Sequence, residues 1–257
     1  MLLTSLVEKS LELVWPAACV ACDRPVPDEL LFCGPCQLSV SPLSGVCSGC
    51  ALPRTDAPRD LVFDGKRCAR CLRVPFPFLS ARAGFEYGEA IAEALLRMKH
   101  GGRRYLARRL ARAMVPTLAE ILRRGRFDAT DVVVPVPLHI KRLRARGFNQ
   151  ALELARGALG GLKQMPAHRP AGGLPHLEAN VLHRIRATRE LGHSGPAARL
   201  AEVAGVFAVG DAARIHGRRV LIVDDVFTTG ATFTECAEAL LRAGASEIHV
   251  LALARAV

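Results

Sequence analysis

Residues Arg219–Asp225 read R-V-L-I-V-D-D, an apolar run that closes on two acids. A loop of small residues follows, Thr228-Thr229-Gly230-Ala231-Thr232. Next come a helical stretch from Phe233 to Arg242, closed by Gly244, and a second apolar run from Ile248 to Ala252. Consecutive apolar residues without alternation predict a strand covered on both faces, as in parallel sheets. Strand, loop, helix and strand in that order predict a βαβ unit, which binds ligands beyond the carboxyl ends of its strands. The fold class is therefore α/β, a parallel sheet flanked by helices.

The loop carries chemistry as well as geometry. Small residues entering a helix N-terminus offer backbone N–H groups and the positive end of the helix dipole to an anion. Thr228, Thr229 and Thr232 add hydroxyls, and Gly230 allows close backbone approach. Asp224 and Asp225 suit the two adjacent hydroxyls of a ribose, and equally a hydrated Mg²⁺, which takes one or two carboxylates plus waters and substrate oxygens. The run Val223–Thr232 is similar, nearly position for position, to the phosphoribosyl-pyrophosphate (PRPP) signature of type I phosphoribosyltransferases. Phe227 stands where that signature has an aliphatic residue. The resemblance implies a PRPP site at Asp224, Asp225, Thr228, Thr229, Gly230, Ala231 and Thr232.

Upstream, Asp131–Pro137 reads D-V-V-V-P-V-P. Proline cannot donate to a central ladder, so this strand is expected to end near Val134. The basic stretch from His139 to Gln150 then leads into a helix over Ala151–Ala158. Lys141, Arg142 and Arg146, just beyond a strand's end, are candidates for a second anion site that would receive pyrophosphate. Solvated surface is the competing reading for such bases. The stretch from Gln164 to Pro175 is rich in Pro and Gly and reads as an irregular loop.

Eight of the nine cysteines form four Cys-x-x-Cys pairs: Cys19/Cys22, Cys33/Cys36, Cys47/Cys50 and Cys68/Cys71. Two thiolates two residues apart turn toward one point, which is half of a tetrahedral zinc site. Four pairs supply two complete sites, with successive pairs grouped as ribbons or interleaved as a cross-brace. Gly34 and Gly49, inside two of the pairs, are expected to ease tight knuckle turns. A disulfide framework would need an oxidising compartment, and a redox motif explains one pair rather than four. Four sulfur ligands leave no open position for water, so these zincs are structural. Each loaded site carries a net charge of about −2, which favours docking on a basic neighbour. Cys236, alone on the helix after the phosphate loop, reads as a buried small hydrophobe.

A chain of 257 residues accommodates one medium domain and one small one. The division expected is a double zinc ribbon with an N-terminal helix over 1–76 and the α/β domain over 77–257. Residues 1–75 carry eight bases and eight acids, so the whole +11 charge lies in the remainder. A basic domain attracts phosphates of nucleotides or nucleic acid. Arg103, Arg104, Arg108, Arg109 and Arg112 contribute to this charge on a helix face, with solvated surface again the competing reading. Met1–Pro16 reads as a short amphipathic helix rather than a signal peptide. No stretch is long enough to span a bilayer, and a cytoplasmic protein is expected.

Four features in this order resemble the ComF family of competence-associated proteins: the cysteine pairs, the L-x-x-M-K-H-x-G stretch at Leu95–Gly102, the P-V-P-L…R-G-F-N-Q run, and the PRPP loop. The resemblance implies a double zinc ribbon joined to a type I phosphoribosyltransferase-like domain and linked to DNA uptake in natural transformation. PRPP, Mg²⁺, single-stranded DNA and other competence proteins are the partners it implies. Arg186, Thr188, Arg199, Gly205 and Phe207 fit the family pattern, whereas Leu191 stands in place of Gln and Glu202 in place of Asn. That region is expected to form a hood or a mobile loop over the site. Two other readings compete: a nucleotide-salvage phosphoribosyltransferase, and a noncatalytic module for single-stranded DNA. The first needs a nucleobase pocket that no residue cluster marks. The second normally uses stacking aromatics, which are scarce here. No catalytic residue is assigned.

Overall fold

A computed structural model describes residues 17–54, 66–100, 102–187 and 205–256. The expected helix at 1–16 and most of the expected hood, 188–204, lie outside the described residues.

The central sheet has five strands in the order β1-β7-β6-β2-β3, all parallel. They are β1 (Ser80–Glu86), β2 (Val132–Pro135), β3 (His176–Leu177), β6 (Arg219–Phe227) and β7 (Glu247–Arg255). A separate antiparallel pair joins β4 (Leu182–Arg184) to β5 (Phe207–Val209). The expected βαβ unit is β6, helix α7 (Ala231–Arg242) and β7. Its helix begins two residues earlier than the sequence indicates, because Gly230 takes a left-handed conformation as N-cap (φ 89°). Strand β7 runs past Ala252 to Arg255, held by β1 on one side and β6 on the other.

The strand at Asp131 does not stop at Val134. Pro135 continues it, opposite Val223. The physical reason is directional. Val136 N–H donates to Val223 toward β6, while the Val133 carbonyl accepts from Glu178 on the β3 side. Alternation turns the side of Pro135 that lacks an N–H toward β3, which has already ended.

Alternate residues of β6 and β7 enter cores on opposite faces. Val133, Leu221, Val223, Leu251 and Leu253 pack with helices α3 (Glu89–His100), α4 (Arg104–Arg124) and α6 (Gln150–Lys163). Val132, Val134, Val220, Ile222, Val250 and Ala252 pack with α7, where Cys236 is fully buried as expected. Burying both faces explains why the strands read as unbroken apolar runs.

The cysteine-rich segment forms two copies of one unit. In each, the first pair lies in a turn closed by an antiparallel bridge, Ala18↔Pro25 or Val46↔Pro53. The second pair opens a short helix, α1 (Gly34–Leu38) or α2 (Ala69–Arg73), with Cys33 or Cys68 as N-cap. The turns place Asp23 and Ala51 in left-handed conformations (φ 62° and 56°). Of the two glycines expected to ease the knuckles, Gly49 needs its missing Cβ, which would stand 3.1 Å from Cys71 Sγ, whereas a Cβ on Gly34 would meet nothing within 4 Å.

The units sit on opposite faces of the sheet. Cys19, Val20 and Phe32 join the core of α3 and α4, while Cys47, Cys50, Cys68 and Cys71 join that of α7. Between them, Ser41–Leu43 runs along the free edge of β1, with Leu43 N–H on Gly84 O and Glu86 N–H on Ser41 O. This covers an edge that would otherwise expose unpaired backbone groups.

Candidate functional site

The sheet changes direction between β2 and β6. From β2 the chain moves outward to β3, and from β6 it moves the other way to β7. At such a switch point the loops diverge and leave a crevice beyond the strand ends. Asp224 and Asp225 lie at this end of β6.

Asp225 is buried and Asp224 half-buried. Lys99, from α3, forms an ion pair with Asp225. Burial opposes ionisation of Asp225, but the Lys99 ammonium overrides it and holds the carboxyl below its ordinary value. Asp224 is pushed well above its ordinary value by burial and by the neighbouring Asp225 charge. Two adjacent carboxylates beside the Lys99 ammonium are divided in this way because both cannot ionise freely in a poorly solvated site. Lys99 itself is raised, burial being outweighed by Asp225 and Asp224.

The R-G-F-N-Q run assembles the wall opposite. Helix α5 (Ile140–Arg146) ends at Gly147 in a left-handed turn (φ 80°). Phe148 is buried, and Asn149 caps α6 through Ala151 N–H (3.0 Å) while its amide donates to Val136 O (3.0 Å). The buried Gln150 accepts from Arg146 Nη1 at 2.6 Å, and its amide helps hold the Asp225 carboxyl below its ordinary value. Of the three basic candidates, Arg146 is drawn into the carboxylate network. Lys141 is exposed in the first turn of α5, with its N–H on His139 Nδ1 (3.3 Å), and Arg142 is half-buried on that helix. Sequence reasoning missed Lys99 and Gln150 as site residues. Both lie inside motifs it singled out.

Beyond β6, Thr228 is exposed and Thr229 and Thr232 are half-buried, while Gly230 and Ala231 are buried. Thr229 Oγ1 accepts from Ala231 N–H at 3.4 Å, and no side chain caps α7. An uncapped first turn directs its donors outward, which suits a phosphate. Phe227 is explained by its neighbours: Phe76, Phe78 and Phe233 surround it with ring centroids 6.0, 6.1 and 5.2 Å away. A Cβ on Gly230 would stand 2.6 Å from the Phe76 ring.

A cleft of about 460 Å³ opens between α5, the start of α6 and β4. Its floor includes Leu138, Phe148 and Leu182. Glu153, whose side chain is buried, accepts there from Arg104 (2.7 Å) and Arg156 (2.9 Å).

The metal groups are Cys19/Cys22/Cys33/Cys36 and Cys47/Cys50/Cys68/Cys71, each with all its sulfurs within 4.8 Å of one another. Successive pairs are grouped, not interleaved. All nine cysteines are free thiols. The sulfurs of Cys22 and Cys33 are 3.5 Å apart and those of Cys50 and Cys68 3.7 Å. Four ligands at about 2.3 Å around a tetrahedral ion would stand roughly 3.8 Å apart, so each group fits zinc. Cys68 N–H points at Cys47 Sγ (3.2 Å), and a Cβ on Gly49 would come within 3.1 Å of Cys71 Sγ.

The basic face of α4 has a structural use. Arg109 is buried and donates to the Ala18 carbonyl and to Leu30 O (2.6 Å). Arg103 pairs with Asp23 (2.8 Å) and Arg112 with Asp28 (3.2 Å). These side chains dock the first cysteine unit, and Arg104 and Arg108 face Glu153.

A family model described as "Phosphoribosyl transferase domain" matches residues 187–256. Across 93% of its length the chain is 28% identical to "DNA utilization protein YhgH" of Salmonella typhimurium, covering 97% of that protein. It is 27% identical to "Competence protein F" of Haemophilus influenzae, over 83% of this chain and 91% of the relative. The chain is similar, along most of its length, to curated proteins named for competence and for DNA utilization. "Competence protein ComFC" of Bacillus subtilis adds 26% identity over 85% of this chain and 80% of that one. The chain thus combines a phosphoribosyltransferase-like sheet with a cysteine-rich segment that holds two four-cysteine groups. Among the described residues no helix is long and apolar enough to cross a membrane.

Proposed function

We propose that this chain is a ComF-type, PRPP-binding protein serving DNA uptake, with phosphoribosyl transfer as the reaction if the site is active. The observation that carries this reading is the Asp224/Asp225 pair at the switch point, with Asp225 held ionised by Lys99. In this reading the two carboxylates take the ribose hydroxyls and, through waters, a Mg²⁺ ion. Thr228, Thr229, Gly230, Ala231 and Thr232 bind the 5-phosphate at the uncapped start of α7. Arg146 faces the pyrophosphate, with Lys141 and Arg142 behind it on α5. Mg²⁺ would neutralise charge on the leaving pyrophosphate, while Lys99, Gln150 and Arg146 hold the carboxylates in place. The two four-cysteine groups bind structural zinc. The division at 76/77 marks two units of sequence that fold onto each other, since Arg109 and its neighbours tie the first to α4.

The DNA-uptake part rests on the names of the relatives. A cytoplasmic location and single-stranded DNA as a partner belong to the same proposal. The test is a thermal-shift comparison of PRPP, ribose 5-phosphate and pyrophosphate, each with Mg²⁺. PRPP must raise the melting temperature more than either fragment. Equal shifts from pyrophosphate and PRPP would reduce the site to a simple anion trap.

A further inference from the structure

Arg255, near the end of β7, is 5% exposed and touches both the second cysteine group and the phosphate loop. Its Nε donates to Cys50 O at 2.8 Å. Its Nη1 donates to Phe227 O (3.1 Å), to Thr228 O (2.8 Å) and to the Ala256 carbonyl. Its guanidinium lies over the Phe227 ring, 4.8 Å from the centroid. One buried side chain therefore bridges a metal-ligand residue and the first residue of the loop.

A buried guanidinium needs a counter-charge as well as acceptors. Among the described residues no carboxylate pairs with Arg255, whose Nε instead meets the backbone of the metal-ligand residue Cys50. A loaded four-thiolate zinc centre, with net charge about −2, supplies what backbone carbonyls cannot. A second route runs beside the first: Phe76, in the segment after the second group, stacks on Phe78 (4.8 Å) and covers Gly230.

We propose that Arg255 is a positioning residue for the phosphate loop, held by the metal-loaded Cys47/Cys50/Cys68/Cys71 centre, so that losing this metal loosens residues 227–230 and weakens their grip on a phosphoribosyl ligand. The first centre, on the opposite face of the sheet, has no such role. The loop's ligand rests on the function proposed above; the tether itself does not. Coupling of this kind is reciprocal, so bound PRPP must raise the zinc affinity of the Cys47/Cys50/Cys68/Cys71 centre and not that of the first.

The test is hydrogen exchange on the full zinc-loaded chain, read at the amides that bond to the loop's carbonyls, Ala256 onto Phe227 O and Thr234 onto Gly230 O, with zinc content measured in parallel. Arg255→Lys keeps the charge and loses the fork. It should speed exchange there by about tenfold, the loss of roughly one charge-assisted hydrogen bond, while both zincs remain bound. Phe76→Leu, outside the hydrogen-bond network, should speed exchange at Thr234, whose amide donates to Gly230 O. Arg109→Lys, at the first centre, should leave the loop unchanged. Loop exchange in Arg255→Lys equal to wild type, or an equal rise in Arg109→Lys, overturns the tether. Calorimetry with Mg-PRPP is a separate arm. If the wild type fails to bind, the phosphoribosyl reading falls and the exchange data still decide the tether.

Discussion

Arg146 Nη1 donates to Gln150 Oε1 at 2.6 Å, and the Gln150 amide helps Lys99 hold the Asp225 carboxyl below its ordinary value. The R-G-F-N-Q run thus reaches the acids of a strand some 75 residues later in the chain. Replacing Gln150 by Leu keeps the volume and removes the bond to Arg146 and the amide's influence on Asp225. PRPP affinity is expected to fall by about tenfold, since a hydrogen bond to a charged group contributes roughly 1.5–3 kcal/mol. Calorimetry on a folded Gln150→Leu protein checks this. Unchanged affinity would show that Gln150 supports the fold alone.

Lys99 and Asp225 form a buried pair, with side chains 25% and 6% exposed. Removing one partner strands the other charge, so Lys99→Met should cost about 3 kcal/mol at neutral pH. Adding Asp225→Asn should recover most of it. A denaturant-unfolding double-mutant cycle reads the coupling, and additive losses would contradict the pair.

Both cysteine groups are built into the main cores, Cys19 beside α4 and Cys47 beside α7. Metal binding is then folding free energy for the whole chain. Two zincs per chain are expected, and chelation should shift a single cooperative melt downward. A ribbon that unfolds separately, leaving the α/β melt in place, would contradict this packing.

His249 is buried, with Nδ1 2.7 Å from Ser80 Oγ. Burial lowers its pKa below 6.5, against the opposing pull of Glu247. The unfolded chain therefore binds more protons than the native one just below pH 6.5, and stability rises with pH across that window. The contribution is complete above pH 6.5 and is lost as pH falls through it. Melts at neutral and mildly acidic pH should differ less for His249→Gln than for wild type. An identical pH dependence would remove His249 as its source.

The β6–α7–β7 unit was legible because burial on both faces writes an unbroken apolar run. The cysteine groups were legible because two-residue spacing is a local property. What escaped was long-range. Lys99 looks like a solvated helix residue until the fold brings Asp225 to it, 126 positions away. Arg109 looks like one more base on a charged face, although its spacing of three from Leu106 sets it on the buried stripe. Phe227 departs from the aliphatic signature because Phe76 and Phe78 complete its pocket, a contact no local pattern records. Pro135 stays in its strand because β3 ends before reaching it.

The most direct measurement of the central claim is calorimetric titration of Mg-PRPP into the wild-type chain and into Asp224→Asn/Asp225→Asn. This variant keeps the shape of both side chains and removes their charge. Saturable one-to-one binding by the wild type, lost in the variant while its fold and zinc content persist, is the predicted result. Absence of binding by the wild type, or equal binding by both proteins, would contradict the assignment of Asp224 and Asp225 to a phosphoribosyl site.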